Sequence, residues 1–369
     1  MDGEIGWLAL SLAPGIGGRN FHRLLRRFGS PDRVFTARRS ELEEIRGLKS
    51  TTIDAIKSSL LREAAEKEKI RLHSLGIEII QWGTDKYPNY LANISDPPPL
   101  LYLRGKLLPE DERAVAVVGS RQASAYGLSV CKKICQELAW HGWTVVSGMA
   151  RGIDSAAHRG ALGGGGRTLA VWGTGLDVVY PKENLTLSKE IASSGAIVSE
   201  FPLGTPPEPG NLPVRNRIIS GLSLGVMVVE ATVRSGSLIT ARMALDQGRQ
   251  VFAVPGPVGR PTVEGSHRLI KEGAKLVESA EDIIEELIPM VDRKLHKEGK
   301  SMPIGEQPEL NEKERQLWEV LGMDPLHIDA IARALNLALA ETAELLLRLE
   351  IKGLVKQLPG TFFVREFYN

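Results

Sequence analysis

The chain has 369 residues, of which 43% are hydrophobic and 25% are charged, a composition typical of a folded protein with two or three domains. No apolar run approaches the length that spans a bilayer, and the N-terminus lacks the basic segment of a signal sequence. We therefore expect a cytoplasmic protein without a membrane segment. The two cysteines, Cys131 and Cys135, lie one helical turn apart on a predicted helix, which favours reduced core thiols over a disulfide or a metal site.

The formal net charge of +1 hides an uneven distribution of charge along the chain. Residues 1–75 contain 14 Lys and Arg against 10 Asp and Glu, whereas residues 309–369 contain 7 against 10. No segment is a strongly basic arm. A polyanion would therefore have to be bound by individually placed residues rather than by bulk charge.

Residues 1–75 are predicted to form a domain of short helices separated by glycine turns. Pro14-Gly-Ile-Gly17 and Arg46-Gly-Leu-Lys49 each lead into a helical stretch. This pattern is similar to paired helix-hairpin-helix elements, in which the backbone N–H groups of a hairpin approach a phosphate. A small SAM-like helical bundle whose glycines serve only as C-caps explains the pattern equally well.

Residues 76–290 alternate between strand-like and helical runs, which predicts βαβ units and a mostly parallel, extended Rossmann-like sheet. The strand-like runs are residues 77–82, 114–118, 144–146, 168–172, 196–198, 226–229 and 250–254. Asp96-Pro-Pro-Pro99 marks an irregular extension before the main sheet. Ligands of such open α/β sheets bind at the carboxyl ends of the strands.

Residues 291–310 are charged and contain prolines, which indicates a linker, and residues 311–369 fit a winged-helix domain. Three helical stretches are followed by the turn Leu358-Pro-Gly-Thr361 between two short strands. The presumed recognition helix, residues 339–350, is acidic and apolar, the wrong sign for a groove lined by phosphates. We expect it to make protein contacts or only to pack.

Loops rich in Gly, Ser, Asn and Arg follow six of the predicted strands and would converge on one rim of the sheet. Ser235-Gly-Ser237 opens a helix, whose free N–H groups favour an anion. Arginines supply forked donors for phosphate oxygens, and glycines that adopt positive φ let backbone N–H groups face a ligand. The arginines are Arg121, Arg215 and Arg217, and the glycines are Gly148, Gly173, Gly175 and Gly236. Several separated anion sites suit a chain of phosphates better than one pyrophosphate.

The sequence contains few candidates for catalytic residues. The turn Gly119-Ser120-Arg121 lacks the second glycine of a dinucleotide fingerprint, and no nucleophile motif or metal cluster occurs. A nucleotide- or nucleoside-phosphate-processing enzyme on the same sheet is the alternative, with Glu230 or Asp177 as base. At the strand ends, Glu230 and Glu200 are the plausible general bases, but either could equally bond to loop amides or to Arg217. We expect no catalytic residue, no cofactor and no metal.

Ordered motifs over roughly residues 80–285 resemble the DprA (Smf) DNA-processing family of bacterial transformation proteins. The matching strings are Val118-Gly-Ser-Arg121, Ser147-Gly-Met-Ala-Arg-Gly-Ile-Asp154, Gly173-Thr-Gly-Leu-Asp-Val-Val-Tyr-Pro181, Pro213-Val-Arg-Asn-Arg-Ile-Ile-Ser-Gly-Leu-Ser223 and Ser235-Gly-Ser-Leu-Ile-Thr-Ala241. The resemblance implies a homodimeric, non-catalytic protein that binds single-stranded DNA, protects it and passes it to the RecA recombinase.

The resemblance also implies roles for individual residues. It places backbone contacts at Arg121 and Lys182, and a dimer surface at Leu269, Ile270 and Leu276, although that apolar stripe could be ordinary core. Together with the rim loops, the expected DNA-binding residues are Gly119, Ser120, Arg121, Gly148, Arg151, Gly173, Gly175, Lys182, Leu212, Arg215, Asn216, Arg217, Ser235, Gly236 and Ser237.

One loop departs from the family pattern. Some relatives carry a lysine and an aromatic residue where this chain has Pro209 and Leu212. A leucine lacks the π face that makes base stacking worth about 1–3 kcal/mol per base. This implies either a weaker affinity for single strands or stacking supplied by another residue.

Overall fold

The computed structural model describes residues 3–297, 312–321, 326–335, 337–351, 355–358 and 360–365. The chain divides into two compact units, residues 1–291 and 292–369. Among the described residues, no helix is both long enough and apolar enough to cross a membrane.

The helices of the first unit fall into two groups along the chain. The N-terminal group comprises α1 (Gly3–Ser11), α2 (Gly18–Phe28), α3 (Pro31–Thr36), α4 (Arg39–Glu43), α5 (Ser50–Lys57) and α6 (Leu60–Ser74). The helices that follow are α7 (Asn89–Ala92), α8 (Ala125–Trp140), α9 (Ile153–Gly163), α10 (Leu185–Ser194), α11 (Asn211–Gly221), α12 (Gly236–Asp246), α13 (Glu264–Lys271) and α14 (Glu281–Lys297), which continues past residue 291.

Nine strands form one sheet in the first unit. They are β1 (Glu78–Gln81), β2 (Leu100–Gly105), β3 (Ala114–Gly119), β4 (Thr144–Ser147), β5 (Thr168–Trp172), β6 (Ala196–Ser199), β7 (Gly225–Val229), β8 (Gln250–Ala253) and β9 (Lys275–Leu276). Their order is β1-β2-β6-β5-β4-β3-β7-β8-β9, with every neighbouring pair from β6 to β9 parallel. Only β1 and β2 are antiparallel additions at one edge. The sequence-based prediction of a mostly parallel α/β sheet is confirmed.

The parallel strands are buried on both faces, which explains why they read as continuous apolar runs. Along β3, Ala116 and Val118 pack on the face covered by α11 and α12, whereas Val115 and Val117 pack on the face covered by α8 and α14. Alternate side chains of a strand point to opposite faces, so each layer of helices receives half of the strand. Cys131 and Cys135 of α8 are free and buried in the second of these layers, as the sequence predicts.

The N-terminal helices pack directly on the sheet within the first unit. Their apolar core is continuous with Tyr102 and Trp172 of the sheet. Two polar ties add to this contact: the carboxylate of Glu68 accepts from the Leu203 N–H at 2.8 Å, and Arg71 forms a 2.9 Å ion pair with Asp177. These helices therefore support the loops that follow β5 and β6.

The second unit contains three described helices, α15 (Glu312–Val320), α16 (Ile328–Leu335) and α17 (Leu339–Ile351). Its sheet has the order β10-β12-β11, formed by β10 (Leu326–His327), β11 (Val355–Leu358) and β12 (Phe362–Arg365). This is the predicted winged-helix arrangement. The predicted linker, residues 291–310, begins within α14, and its part from residue 298 onward lies outside the described residues.

Candidate nucleic-acid interface

The strand order reverses at β3, because β4, β5 and β6 lie on one side of it and β7 and β8 on the other. At such a switch point the connections leaving the two parallel strands diverge and open a crevice at their carboxyl ends. Here the turn after β3 begins at Gly119, and the loop after β7 leads into α12. The fold therefore places the Gly-Ser-Arg turn opposite the Ser-Gly-Ser helix start.

A groove, called here the rim groove, crosses these strand ends as two adjoining depressions. Most of the predicted site residues line it: Gly119, Ser120, Arg121, Gly148, Arg151, Gly173, Leu212, Arg215, Asn216, Ser235, Gly236 and Ser237. Three predicted residues, Gly175, Lys182 and Arg217, are described by the structure but do not line the groove.

The turn that opens the groove is fixed by close backbone packing. A Cβ at Gly119 would lie 1.9 Å from the Val229 carbonyl oxygen of β7, so only glycine fits between the strands. The Ser120 carbonyl oxygen accepts from the Ile153 N–H at 3.1 Å, which ties the turn to α9. Arg121 follows, exposed, and makes neither a hydrogen bond nor an ion pair with any described residue. Its guanidinium is available to an anion in the groove.

The opposite wall is the N-terminus of α12. Ser235 is the N-cap residue, and its hydroxyl accepts from the Ser237 N–H at 3.3 Å and lies 2.7 Å from the Ser237 hydroxyl. The helix dipole places partial positive charge at this end. Two hydroxyl groups and the first turn of a helix thus face the same groove as Arg121.

Arg215 forms part of the groove floor and is almost fully buried. Its Nη1 donates to the Val171 carbonyl oxygen at 2.7 Å, while its Nε has no hydrogen-bond partner among the described residues. Burial lowers the pKa of Arg215 and raises that of nearby Asp154. Asp154 accepts from the Ala150 N–H at 3.2 Å, a loop-holding role rather than acid–base chemistry. The floor of the groove therefore carries a buried guanidinium.

The predicted reason for glycine at four rim positions is wrong. Gly148, Gly173, Gly175 and Gly236 do not adopt positive φ in this structure; in the loop after β4, Met149 and Gly152 do so instead. At Gly148 the requirement is steric, because a Cβ would lie 1.8 Å from Arg215 Nη1.

Two predicted DNA-binding arginines are held in internal ion pairs. Arg217 forms a bidentate pair with Glu200, with 2.6 Å between Nη2 and Oε2, and donates to the Asp96 carbonyl oxygen at 2.9 Å. Arg151 lines the groove but pairs with Glu183 on the exposed surface. Arg217 thus anchors α11 beside the groove, and Arg151 would have to exchange a carboxylate for a phosphate.

The other two residues outside the lining differ in exposure. Lys182 is exposed at the start of a short 3-10 turn, from which its flexible side chain points into solvent. Gly175 is packed, because a Cβ there would lie 2.5 Å from the Pro202 carbonyl oxygen. The role of Lys182 as a phosphate contact stays a prediction, whereas Gly175 shapes the loop behind the groove.

Sequence reasoning passed over an aromatic residue in the groove. Tyr180 is 51% exposed and lines the same depression as Leu212 and Pro209. The sequence placed it in a rim loop, but only the fold brings that loop beside α11. A tyrosine ring next to Leu212 offers the π face that the leucine lacks.

The two carboxylates considered as catalytic bases both have internal partners. Glu230 is buried and accepts from both the N–H and the hydroxyl of Ser124, the N-cap residue of α8. Asp177 accepts from the Gly204 N–H at 2.7 Å and pairs with Arg71. Each carboxylate stabilises a loop.

The apolar stripe predicted for a dimer divides into two parts. Leu269 of α13 is buried in the core beneath the sheet, and Ile270 packs against that core. Leu276 is 43% exposed on β9, the last strand of the sheet. Of the three residues predicted for the dimer surface, Ile270 is partly exposed and Leu276 is exposed, whereas Leu269 is not accessible.

Comparison with known proteins gives a consistent assignment. Residues 78–288 match the family model of DNA recombination-mediator protein A, and residues 303–361 match the DprA winged helix domain. The Escherichia coli protein Smf is 40% identical over 305 residues, covering 82% of each chain. The Bacillus subtilis DNA processing protein DprA is 42% identical over 248 residues, covering 65% of this chain and 84% of that protein.

Two solved structures of DNA processing protein A also match. That from Streptococcus pneumoniae is 35% identical, has a TM-score of 0.64 and covers 78% of this chain and 98% of its own. That from Helicobacter pylori, reported with a single-stranded DNA binding mode, is 29% identical with a TM-score of 0.52, covering 58% and 96%. The chain belongs to the DNA recombination-mediator protein A (DprA/Smf) family.

Proposed function

We propose that this protein binds single-stranded DNA in the rim groove without catalytic turnover, and that as a homodimer it protects the strand and delivers it to the RecA recombinase during transformation or recombination. Family membership and the single-strand binding reported for the Helicobacter pylori relative support this proposal. The observation that carries it is Arg121, an exposed guanidinium at a sheet switch point that forms no hydrogen bond or ion pair with any described residue.

Binding would divide between phosphates and bases. Arg121 and the N-terminus of α12 face each other across the groove and suit successive phosphates, while Arg215 adds positive potential from below. Leu212 and Tyr180 offer surfaces for bases at the other end. Base-edge recognition needs a set of placed donors and acceptors, so we expect little dependence on DNA sequence.

The alternative, a nucleotide-processing enzyme, is less well supported. Its candidate bases, Glu230 and Asp177, both use their carboxylates to hold loops. Taking either for catalysis would leave loop N–H groups unpaired. The groove favours binding over turnover for this reason.

The test is titration of labelled oligothymidylate and duplex DNA at two salt concentrations. Arg121→Ala should weaken single-strand binding and lower the slope of log K against log salt by about 0.7, because one phosphate contact is lost. Arg159→Ala removes an exposed arginine that does not line the groove and should change neither value. Unchanged single-strand binding by Arg121→Ala, or turnover of mononucleotides by the wild-type protein, would overturn the proposal.

A further inference from the structure

The two N-terminal glycine hairpins, which the rim groove does not involve, are built as a reciprocal pair. Gly15 and Gly47 both adopt left-handed φ, +81° and +88°. After the first hairpin, the Asn20 amide donates to the carbonyl oxygens of Gly15 and Gly47, at 3.2 and 3.4 Å. After the second, the Thr52 hydroxyl donates to the Pro14 carbonyl oxygen at 2.8 Å. The helix that follows each hairpin thus braces the other hairpin.

This pairing gathers basic residues that are far apart in the sequence. Arg23 of α2 donates to the Arg46 carbonyl oxygen at 2.8 Å, so the exposed face of α2 lies against the second hairpin. We call the resulting surface the helical basic patch; it consists of Arg19, Arg23, Arg26, Arg46 and Lys49, all exposed. Counted separately, neither hairpin is strongly basic. The patch exists only because the fold combines them.

The charges of the patch are largely uncompensated. Arg19, Arg26, Arg46 and Lys49 form no ion pair with any residue that the structure describes. One carboxylate, Glu44, lines the same depression as Arg23, Arg26 and Arg46 and lies 3.9 Å from Arg27. Glu43 and Asp54 both pair with Arg39. A multivalent anion would therefore meet a net positive surface.

The second hairpin also leaves backbone donors open. Lys49, the N-cap residue of α5, makes no side-chain cap, so the first N–H groups of that helix remain available beside the patch. The first hairpin differs, because Asp96 already lies next to the start of α2: a Cβ at Gly18 would be 2.7 Å from Asp96 Oδ1. The site is therefore centred on the second hairpin and the exposed face of α2.

The chemistry of the patch indicates its partner. Arg19, Arg23 and Arg26 follow one face of α2, with about 6 Å of helix rise between the first two, a spacing that suits successive backbone phosphates. Proteins that hold single strands use exposed aromatic rings for stacking. The aromatic residues near the patch, Phe21 and Phe28, are buried or partly buried, so bases have no platform. This favours a polymer whose bases are already stacked inside a helix.

We propose that the helical basic patch is a second DNA site, which binds the phosphate backbone of duplex DNA without regard to sequence, apart from the rim groove. A protein with both sites would hold a single strand and a duplex at the same time.

The experiment uses the full chain and a labelled 30-bp duplex, with labelled oligothymidylate as second ligand. Arg26→Ala/Arg46→Ala should weaken duplex binding at least tenfold and lower its salt slope by about 1.8, since each lost phosphate contact is worth about 0.9 for duplex DNA. Oligothymidylate binding should stay within twofold of wild type. Arg121→Ala should show the reverse pattern.

The matched control is Arg33→Ala/Arg62→Ala, which removes two exposed arginines from the same group of helices outside the patch and should leave duplex binding unchanged. A second pair, Arg19→Ala/Lys49→Ala, should repeat the loss. Duplex binding that survives both patch variants, or an equal loss for single strands, would overturn the proposal. The proposal would also be overturned if the patch variants lost binding to phosphatidylglycerol vesicles but bound duplex DNA as wild type does, because the patch would then bind a lipid surface.

Discussion

At the scale of residues, the rim groove contains one position at which the resemblance implies a departure from the family pattern. The resemblance implies an aromatic residue in some relatives at the place of Leu212, and Tyr180 lies in the same depression with half of its surface exposed. The two are 32 positions apart in the sequence and line one depression because the loop after β5 contacts the start of α11, where the Asn211 amide donates to the Gly173 carbonyl oxygen at 3.1 Å. Stacking supplied by another residue is therefore the better supported of the two explanations.

We expect Tyr180→Ala to weaken oligothymidylate binding by about 1–3 kcal/mol, because it removes one stacking platform. Tyr180→Phe should retain most of the affinity, since the ring and not the hydroxyl is used. Fluorescence anisotropy at fixed salt measures both. Equal affinity of wild type and Tyr180→Ala, together with tighter binding by Leu212→Phe, would show instead that the departure at Leu212 simply weakens the site.

A second residue-level prediction concerns His158, which is fully buried in α9. Its Nδ1 lies 2.7 Å from the Thr168 hydroxyl, which itself donates to the Val145 carbonyl oxygen, so Nδ1–H is the donor. Its Nε2 is buried without a hydrogen-bond partner among the described residues. Burial and the positive charge of Arg215 lower the pKa of His158 to about 3. The unfolded chain binds this proton near pH 6.5, so stability falls as the pH drops below 6.5.

The loss should approach about 1.4 kcal/mol of unfolding free energy per pH unit well below pH 6.5. His158→Asn keeps a donor near the Nδ1 position but cannot titrate. The difference in unfolding free energy between wild type and His158→Asn, measured in urea, should therefore shrink by about 1.2 kcal/mol from pH 6 to pH 5. A difference that stays constant would mean that His158 is protonated in the folded protein.

At the scale of elements, the sequence patterns did not predict two strands near the edges of the sheet. β2 and β9 were not predicted: β2 follows three prolines, and β9 has only two residues. β2 pairs antiparallel with β6 and closes one side of the sheet together with β1, whereas β9 ends the other side. An edge strand presents unpaired backbone groups and is a ready surface for a second copy.

We expect Leu276→Glu on β9 to produce a monomer, because it places a charge at the exposed edge of the sheet. Leu269→Ala should instead lower the free energy of unfolding by about 2–5 kcal/mol, because it leaves a cavity in the core. Light scattering after size exclusion measures the first effect and thermal unfolding the second. Leu185→Glu, at a leucine with 49% exposure on α10, is the control. A dimer that persists in Leu276→Glu would place the contact between subunits elsewhere.

At the scale of the whole molecule, the structure shows where the excess positive charge of residues 1–75 lies. The excess of cations in the first 75 residues is concentrated on the exposed side of the N-terminal helices, while their apolar side packs on the sheet. The ties from Glu68 and Arg71 reach the loops behind the rim groove, so these helices also hold the rim groove in shape. In the second unit, two acids of α17 form ion pairs: Glu341 with Lys313, and Glu344 with Arg348.

The sequence by itself determined the fold class, the helical and winged-helix modules, the family and most of the residues that line the rim groove. It could do so because buried parallel strands, helix starts and glycine turns leave local patterns, and because loops that follow parallel strands must meet at one edge. Only the tertiary structure decided which charges are free. Arg121 and Arg217 look equivalent in the sequence, yet Arg217 is held by Glu200 and Arg121 has no partner among the described residues. The helical basic patch, likewise, joins arginines more than twenty positions apart. Ion pairing depends on distances of a few ångströms between elements remote in the chain, and no local pattern records those distances.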